Sequence, residues 1–477
     1  MVFLAFMFIF KFTFPNTKII IFLHLKHFRM QFRIYILSIF FLTNFYSQNK
    51  NDLFLLQKII NSNQKGIVYL EKNKTYIING TLTVPDFVKI NGNGASILQT
   101  KDNTPIINLS YKSDINIENI NFTGKGNDYQ PSASSLAVGI NIWGAKNINI
   151  TNCIFRSFSN TGIAGLRQVQ NIKINNNKFY GTSNNNPNYY QKDHTGITIG
   201  GKNIFIKNNY ITKSSQGIII AEGSNNADIE NNIIENITLE HGIYVDTSCQ
   251  NIYIRKNNLF NIDGAAIKVQ NRNYINDRSE HIIISDNIIK NTKGDGILIL
   301  NSEASKSLYA VDVNVTNNTL DNIGQHGINI RNTKNIVVFN NRLNTIKNSG
   351  FYLRDSYSVN IKGNTINNTG ENGVFDEGDS SSVNIIENRF ENIATAGNYK
   401  NGLSACIFME NGEKRRIEKN IITGSKGMDY AIFIANGNLK DCFIEGNDFS
   451  NASKSSIRIN QNVKNYKSFN NNRTSVK

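Results

Sequence analysis

The sequence predicts an all-β solenoid in which short strands stack, coil upon coil, around one long apolar core. Three observations predict it. Asparagine recurs in a fixed setting, three residues after an aliphatic one: Ile229 before Asn232, Ile254 before Asn257, Ile284 before Asn287, Val315 before Asn318. The series runs on through Asn341, Asn364, Asn388, Asn420 and Asn447, in steps of 25, 30, 31, 23, 23, 24, 32 and 27 residues, a short period lengthened by insertions. A unit this short cannot bury its own apolar face, and stacking on its neighbours is what makes a core. Second, only 18% of residues are charged and the chain has 5 prolines, while Asn, Ile, Gly, Thr and Ser abound, which suits strands joined by tight turns. Third, another strand cadence lines up with the first: Gly217-Ile218, Gly242-Ile243, Ala266-Ile267, Gly296-Ile297, Gly327-Ile328 and Gly350-Phe351. A chain of 477 residues ordinarily suggests several domains, but an array grows in one dimension and escapes that limit.

Residues 1–48 stand apart as an N-terminal extension and signal. They hold five basic residues (Lys11, Lys18, Lys26, Arg29, Arg33) and no acidic one. Met30–Leu42 has the short charged start and apolar centre of a secretory signal, with cleavage expected near Ser47-Gln48 and Met30 as a second candidate start. The competing reading is a membrane anchor. The basic residues break the apolar run below the ~20 residues a span needs, so the mature chain is expected to have no stable span and to be secreted, periplasmic or on the cell surface. Without the five basic residues the formal charge falls from +15 to +10 (15 − 5), which still favours an anionic partner.

Residues 49–100 are expected to form an N-terminal cap and the first coils. Leu53–Ile60 has helical spacing, and the strands Gly66–Leu70, Thr75–Ile78, Leu82–Val84 and Val88–Gly94 follow it. A helix over the first coil covers an apolar end and a bare sheet edge. The repeats then occupy residues 101–477. Cys153 sits at a ladder position, and Cys406 and Cys442 replace inward aliphatics, so they read as small buried hydrophobes rather than a disulfide framework or a zinc site.

The opening helix, the strand-turn KNKTYIING, the segment VKINGNG and about a dozen coils of the NIxI and GIxI type resemble the right-handed parallel β-helix proteins of the pectate lyase and pectin lyase-like superfamily. The resemblance implies a right-handed parallel β-helix for nearly all of the mature chain, with the asparagines stacked as a hydrogen-bonded ladder. It also implies a range of chemistry, since the superfamily includes lyases, hydrolases, epimerases and phage or surface proteins, and a site must choose among them.

Alternation on the second cadence predicts where a site lies. If Ile243 and Val245 face inward, one outward column is Ile219, Tyr244, Lys268, Leu298, Asn329 and Tyr352, and a second is Ala221, Asp246, Gln270, Leu300, Arg331 and Arg354. Insertions at Tyr180–Lys192, Asn271–Glu280 and Asn301–Ala310 are expected to wall these columns into a groove. Arg331 and Arg354, with Lys268 and Arg272 nearby, suit a carboxylate or sulfate between them, and they read equally as solvated surface cations. Tyr244 and Tyr352 are candidates for stacking on sugar rings. His241 and His326 precede the glycine of a coil, where glycine breaks the alternation and leaves their direction open; His194 lies beside the longest insertion.

These residue types suit β-elimination of a uronate polymer, which needs a base, a group that stabilises the enolate and an acid for the leaving oxygen. The expected catalytic set is Lys268, Tyr244, His241 and Arg331. The expected substrate-binding set is Asp246, Gln270, Arg272, Asn329, Tyr352, Arg354, His194 and His326. Hydrolysis or epimerisation on the same fold is the competing enzyme reading, with Glu222 and Asp246 as a candidate carboxylate pair. The motifs of polygalacturonase-like hydrolases and of the best-known pectate lyases are missing. A non-catalytic adhesive surface is the third reading. No cofactor is assigned; Asp376, Glu377 and Asp379 resemble a calcium cluster, which leaves calcium open, although an acidic turn without metal is the favoured reading. The expected partner is an acidic polysaccharide bound by a monomer, and nothing in the pattern points to nucleic acid.

Overall fold

Period-two alternation and left-handed turn residues build a coil with three parallel strand ladders. The computed structural model describes residues 8–14, 17–23, 51–63, 66–101, 103–125, 137–181, 195–221, 223–272, 278–301, 311–395, 404–424, 428–435, 440–450, 455–460 and 463–473. Met1–Asn51 and Asp52–Lys477 form separate compact units. In the first, strands Phe8–Phe14 and Thr17–Leu23 pair antiparallel; Met30–Leu42, expected to be a secretory signal, lies outside the described residues. Among the described residues no helix is long and apolar enough to cross a membrane.

The second unit is a parallel β-helix opened by the helix Leu53–Asn61. The helix buries Leu56 and Ile60, and Asp52 ties it to the first coil by accepting the Ile77 N–H at 3.0 Å. One ladder is a 16-stranded sheet from Thr75–Ile78 to Asn472–Arg473. The other two ladders join where the strands Thr161–Asn175 and Thr195–Lys207 run unbroken through both. The pairings between coils place like positions in register, for example Ile267 on Ile297 on Ile328 on Phe351, all fully buried. At the N-terminal end the inward stack is aromatic, with Phe122, Phe155 and Phe179 at ring separations of 5.1 and 4.7 Å.

The asparagine ladder forms and is longer than the expected series. Each side-chain Nδ2 donates to the Oδ1 of the next rung, from Asn177 through Asn209 and Asn232 to Asn447 and Asn471. The same Oδ1 accepts the backbone N–H of the preceding rung, so one buried amide serves both side chain and turn. The residue before each of these asparagines lies at positive φ, as in Asn317 (φ 57) and Asn340 (φ 54), a conformation that asparagine tolerates and most side chains resist.

Two charged residues break the apolar interior. Asp376 stands in register between Leu353 and Met409, and Arg415 between Val383 and Cys442. Both are fully buried, and Arg415 Nη2 lies 2.8 Å from Asp376 Oδ2. This corrects the calcium reading of Asp376, Glu377 and Asp379, because Asp376 faces the core and is held by an internal guanidinium. All four cysteines are buried and free.

Candidate functional site

The outward columns form as alternation predicts. Tyr244, Lys268, Leu298, Asn329 and Tyr352 follow one another in register, as do Gln270, Leu300, Arg331 and Arg354. Where glycine opens the strand it is there for space: a Cβ on Gly296 would come within 2.6 Å of the Gly327 carbonyl oxygen and 2.5 Å of Leu320, and Ala266 is the exception in this column. The residue just before that glycine therefore turns out of the coil at a close-packed corner.

That corner settles the direction of His241, Asp295 and His326. His241 Nδ1 accepts the Ala265 N–H at 3.1 Å, Asp295 Oδ1 accepts the His326 N–H at 3.0 Å, and His326 Nδ1 accepts the Ser349 N–H at 3.4 Å. Each corner side chain thus caps the backbone of the next coil and stands beside the outward column. The His241 ring lies 5.8 Å from that of Tyr244, and the His326 ring 4.6 Å from that of Tyr352. With Nδ1 accepting, His241 carries its proton on Nε2. Burial, and the Lys268 charge next, push it down to about 3, so it is a neutral donor at ordinary pH.

The candidate residues fall into two clusters. In the first, the Tyr244 hydroxyl donates to Asp246 Oδ1 at 2.9 Å and accepts from Arg272 Nη2 at 3.2 Å, while Arg272 Nε lies 3.1 Å from the same Asp246 oxygen. Gln270 Oε1 is 3.5 Å from that hydroxyl. Lys268 Nζ lies 5.3 Å from the centroid of the Tyr244 ring. Burial lowers the Lys268 ammonium pKa; Glu240 and Asp246 oppose the shift and Arg272 adds to it. Burial raises the Tyr244 phenol.

In the second cluster Asp295 Oδ2 accepts Asn329 Nδ2 at 2.9 Å, and Asn329 Oδ1 accepts Arg331 Nε at 2.9 Å. The Arg331 guanidinium lies 4.9 Å from the Tyr352 ring centre, and the Tyr352 hydroxyl donates to Glu377. Burial raises the Tyr352 phenol, and Glu377 adds to the shift. Burial also raises Asp295, against its hydrogen bonds and Arg331. Arg354 lies 3.6 Å from Asp355. Beyond Tyr352 the column turns apolar, with Phe375, Phe408 and Phe433 packed ring on ring at 5.7, 5.1 and 5.4 Å.

Several expectations change in this light. Tyr244 and Tyr352 are each only 7% exposed, so neither offers an open face for a sugar ring. Lys268 and Asn329 are separated by Leu298, two rungs and therefore ~10 Å apart, which is too far to serve one sugar carboxylate together. Asp295 also belongs to the site, and the one sign of it in the sequence is its place before Gly296, in the same corner column as His241 and His326. His194 and Glu222 lie outside the described residues, as do most of the three insertions expected to wall the groove. Among the described residues no group of three His, Cys, Asp or Glu side chains is placed to hold a metal ion.

The profile of the right handed beta helix region matches residues 138–309 and 274–405, together more than half of the chain. The chain belongs to the right-handed β-helix family. Among solved structures, the tailspike protein of E. coli bacteriophage HK620, in complex with a pentasaccharide, superposes on this β-helix protein with a TM-score of 0.57 at 13% identity, over 87% of this chain and 76% of the tailspike. The Streptococcus pneumoniae surface protein and adhesin PfbA does so with a TM-score of 0.50 at 16% identity, over 70% of this chain and 96% of PfbA. No curated protein sequence matches. At these identities the likeness is one of fold.

Proposed function

We propose that this β-helix protein is exported and carbohydrate-active, binds an acidic polysaccharide along its outward columns, and cleaves it by β-elimination at the Tyr244–Lys268 cluster. One observation carries the reading. Lys268 is a partly buried ammonium beside the Tyr244 ring, its proton loosened by burial, with no carboxylate in ion-pair contact among the described residues. A lowered ammonium pKa makes the free amine, the form that can take a proton, easier to reach than in an exposed lysine. The tailspike that shares the fold is in complex with a pentasaccharide; for this chain the proposal rests on its own side chains.

In the proposed reaction the free amine of Lys268 takes the proton α to a uronate carboxylate. The electron pair left behind forms the 4,5 double bond and breaks the bond to the glycosidic oxygen. Tyr244, kept protonated by burial, gives its proton to that oxygen. Arg272, next to the phenol and 53% exposed, neutralises the carboxylate as the enolate forms. Arg331 and Asn329 are too distant for that part, and His241 supplies a hydrogen bond rather than a proton.

The test is absorbance of the unsaturated product on incubation with alginate, pectate and glycosaminoglycan polymers. Lys268→Ala and Tyr244→Phe should each lose roughly 10²-fold or more in kcat, the usual worth of a general base or acid. Epimerisation would begin with the same proton transfer and end without chain cleavage, which NMR of the recovered polymer detects. Reducing ends without the new absorbance would point to hydrolysis, and no change in any acidic polymer would sink the enzyme reading.

A further inference from the structure

We propose that Asp295 is a positioning residue for a second, anion-reading subsite: through Asn329 it holds Arg331 in place to bind a sugar carboxylate two rungs from Lys268. This deepens the polysaccharide reading above and rests on it. A carboxylate only accepts, and both Asp295 oxygens face donors, the His326 N–H and Asn329 Nδ2. Asn329 is fully buried, so its amide has one tenable orientation. With Nδ2 given to Asp295, Oδ1 must face the Arg331 Nε–H, at 2.9 Å. The flipped amide would set oxygen against carboxylate and N–H against N–H.

The consequence is an arginine seated by its inner nitrogen and by the Tyr352 ring, itself fixed by His326 and Glu377. Its two terminal nitrogens have no partner among the described residues. That edge matches a planar carboxylate in two parallel bonds, with little side-chain freedom left to lose. Asp295 and Asn329 lie outside the coil, apart from the asparagine ladder and the apolar core. A carboxylate only 6% exposed is costly there unless its orientation matters. At ~10 Å from Lys268 the subsite reads a neighbouring sugar rather than the reacting one.

The experiment is a double-mutant cycle on binding of alginate and pectate oligosaccharides by the purified chain, with crystal structures of the variants. Arg331→Ala and Asp295→Asn should each weaken binding by roughly 10- to 100-fold and reduce its salt dependence. The double variant should be no weaker than Arg331→Ala alone. A disturbed fold would lower affinity without erasing the same salt dependence. In the Asp295→Asn structure, without ligand, the Asn329 amide should be flipped and Arg331 displaced from Tyr352. If that variant does not fold, Asp295→Ala removes the acceptor without adding a donor and should show the same lack of additivity. Independent, multiplicative losses, or Arg331 still seated in the variant structure, would overturn the proposal. If the wild-type chain binds neither oligosaccharide, the polysaccharide reading fails, while the variant structure still judges whether Asp295 positions Arg331.

Discussion

Replacing Asn318 with leucine removes one rung from the middle of the asparagine ladder. Its Nδ2 donates to Asn341 Oδ1 at 3.0 Å and to the Ile284 carbonyl at 2.9 Å; its Oδ1 accepts the Asn287 N–H at 3.0 Å and Asn287 Nδ2 at 2.9 Å. Asn341 Oδ1 would keep the Asn318 backbone N–H. Three buried groups would then lack partners: the Asn287 N–H, one Asn287 amide hydrogen and the Ile284 carbonyl. At about 1–3 kcal/mol each, offset by about 2 kcal/mol from burying leucine, the net local loss is about 4 kcal/mol. A solenoid does not melt as one unit, so the assay is hydrogen exchange of peptides covering residues 283–292. Their exchange should quicken roughly 10³-fold, while Asn314→Leu, on the outward face of the same coil, should leave it nearly unchanged. Equal protection in the two variants would refute the idea that the ladder amides hold the turns.

Two further outcomes follow from buried charge. His241 is held near 3 in the folded chain and returns to ~6.5 when unfolded, so between those values the unfolded chain takes up a proton that the folded one refuses, and stability falls as pH drops through that window. His241→Asn keeps an acceptor for the Ala265 N–H, so hydrogen-exchange protection of the strand at Ile267–Asn271, corrected for the intrinsic pH dependence of exchange, should decline less from pH 7 to 4 than in the wild type; parallel declines would show that His241 is not held neutral. Asp376→Asn should cost about 3–5 kcal/mol by leaving the Arg415 charge unpaired inside the coil, and adding Arg415→Met to Asp376→Leu should recover most of it. Hydrogen exchange of the strands Val374–Glu377 and Glu413–Glu418 decides this, and additive losses would contradict the pairing.

The solenoid was legible in the sequence because its causes are local. An asparagine every coil, glycine before an aliphatic run and strict alternation report turn geometry and strand parity wherever they occur. They were enough to set Tyr244 beside Lys268 and Arg331 beside Arg354, and to place Leu53–Ile60 as a helix. Parity stops at glycine. The outward direction of His241, Asp295 and His326 is decided by the close-packed corner and the backbone N–H of the following coil, which no single repeat contains. The inward Asp376 was equally hidden: a charge at a core position is tenable only because Arg415, from another ladder in the following coil, reaches it. The division of the candidate residues into two clusters also belongs to the tertiary structure. Column membership can be read along the chain, but which side chains bond across rungs, and which leucine stands between them, depends on how coils of unequal length stack.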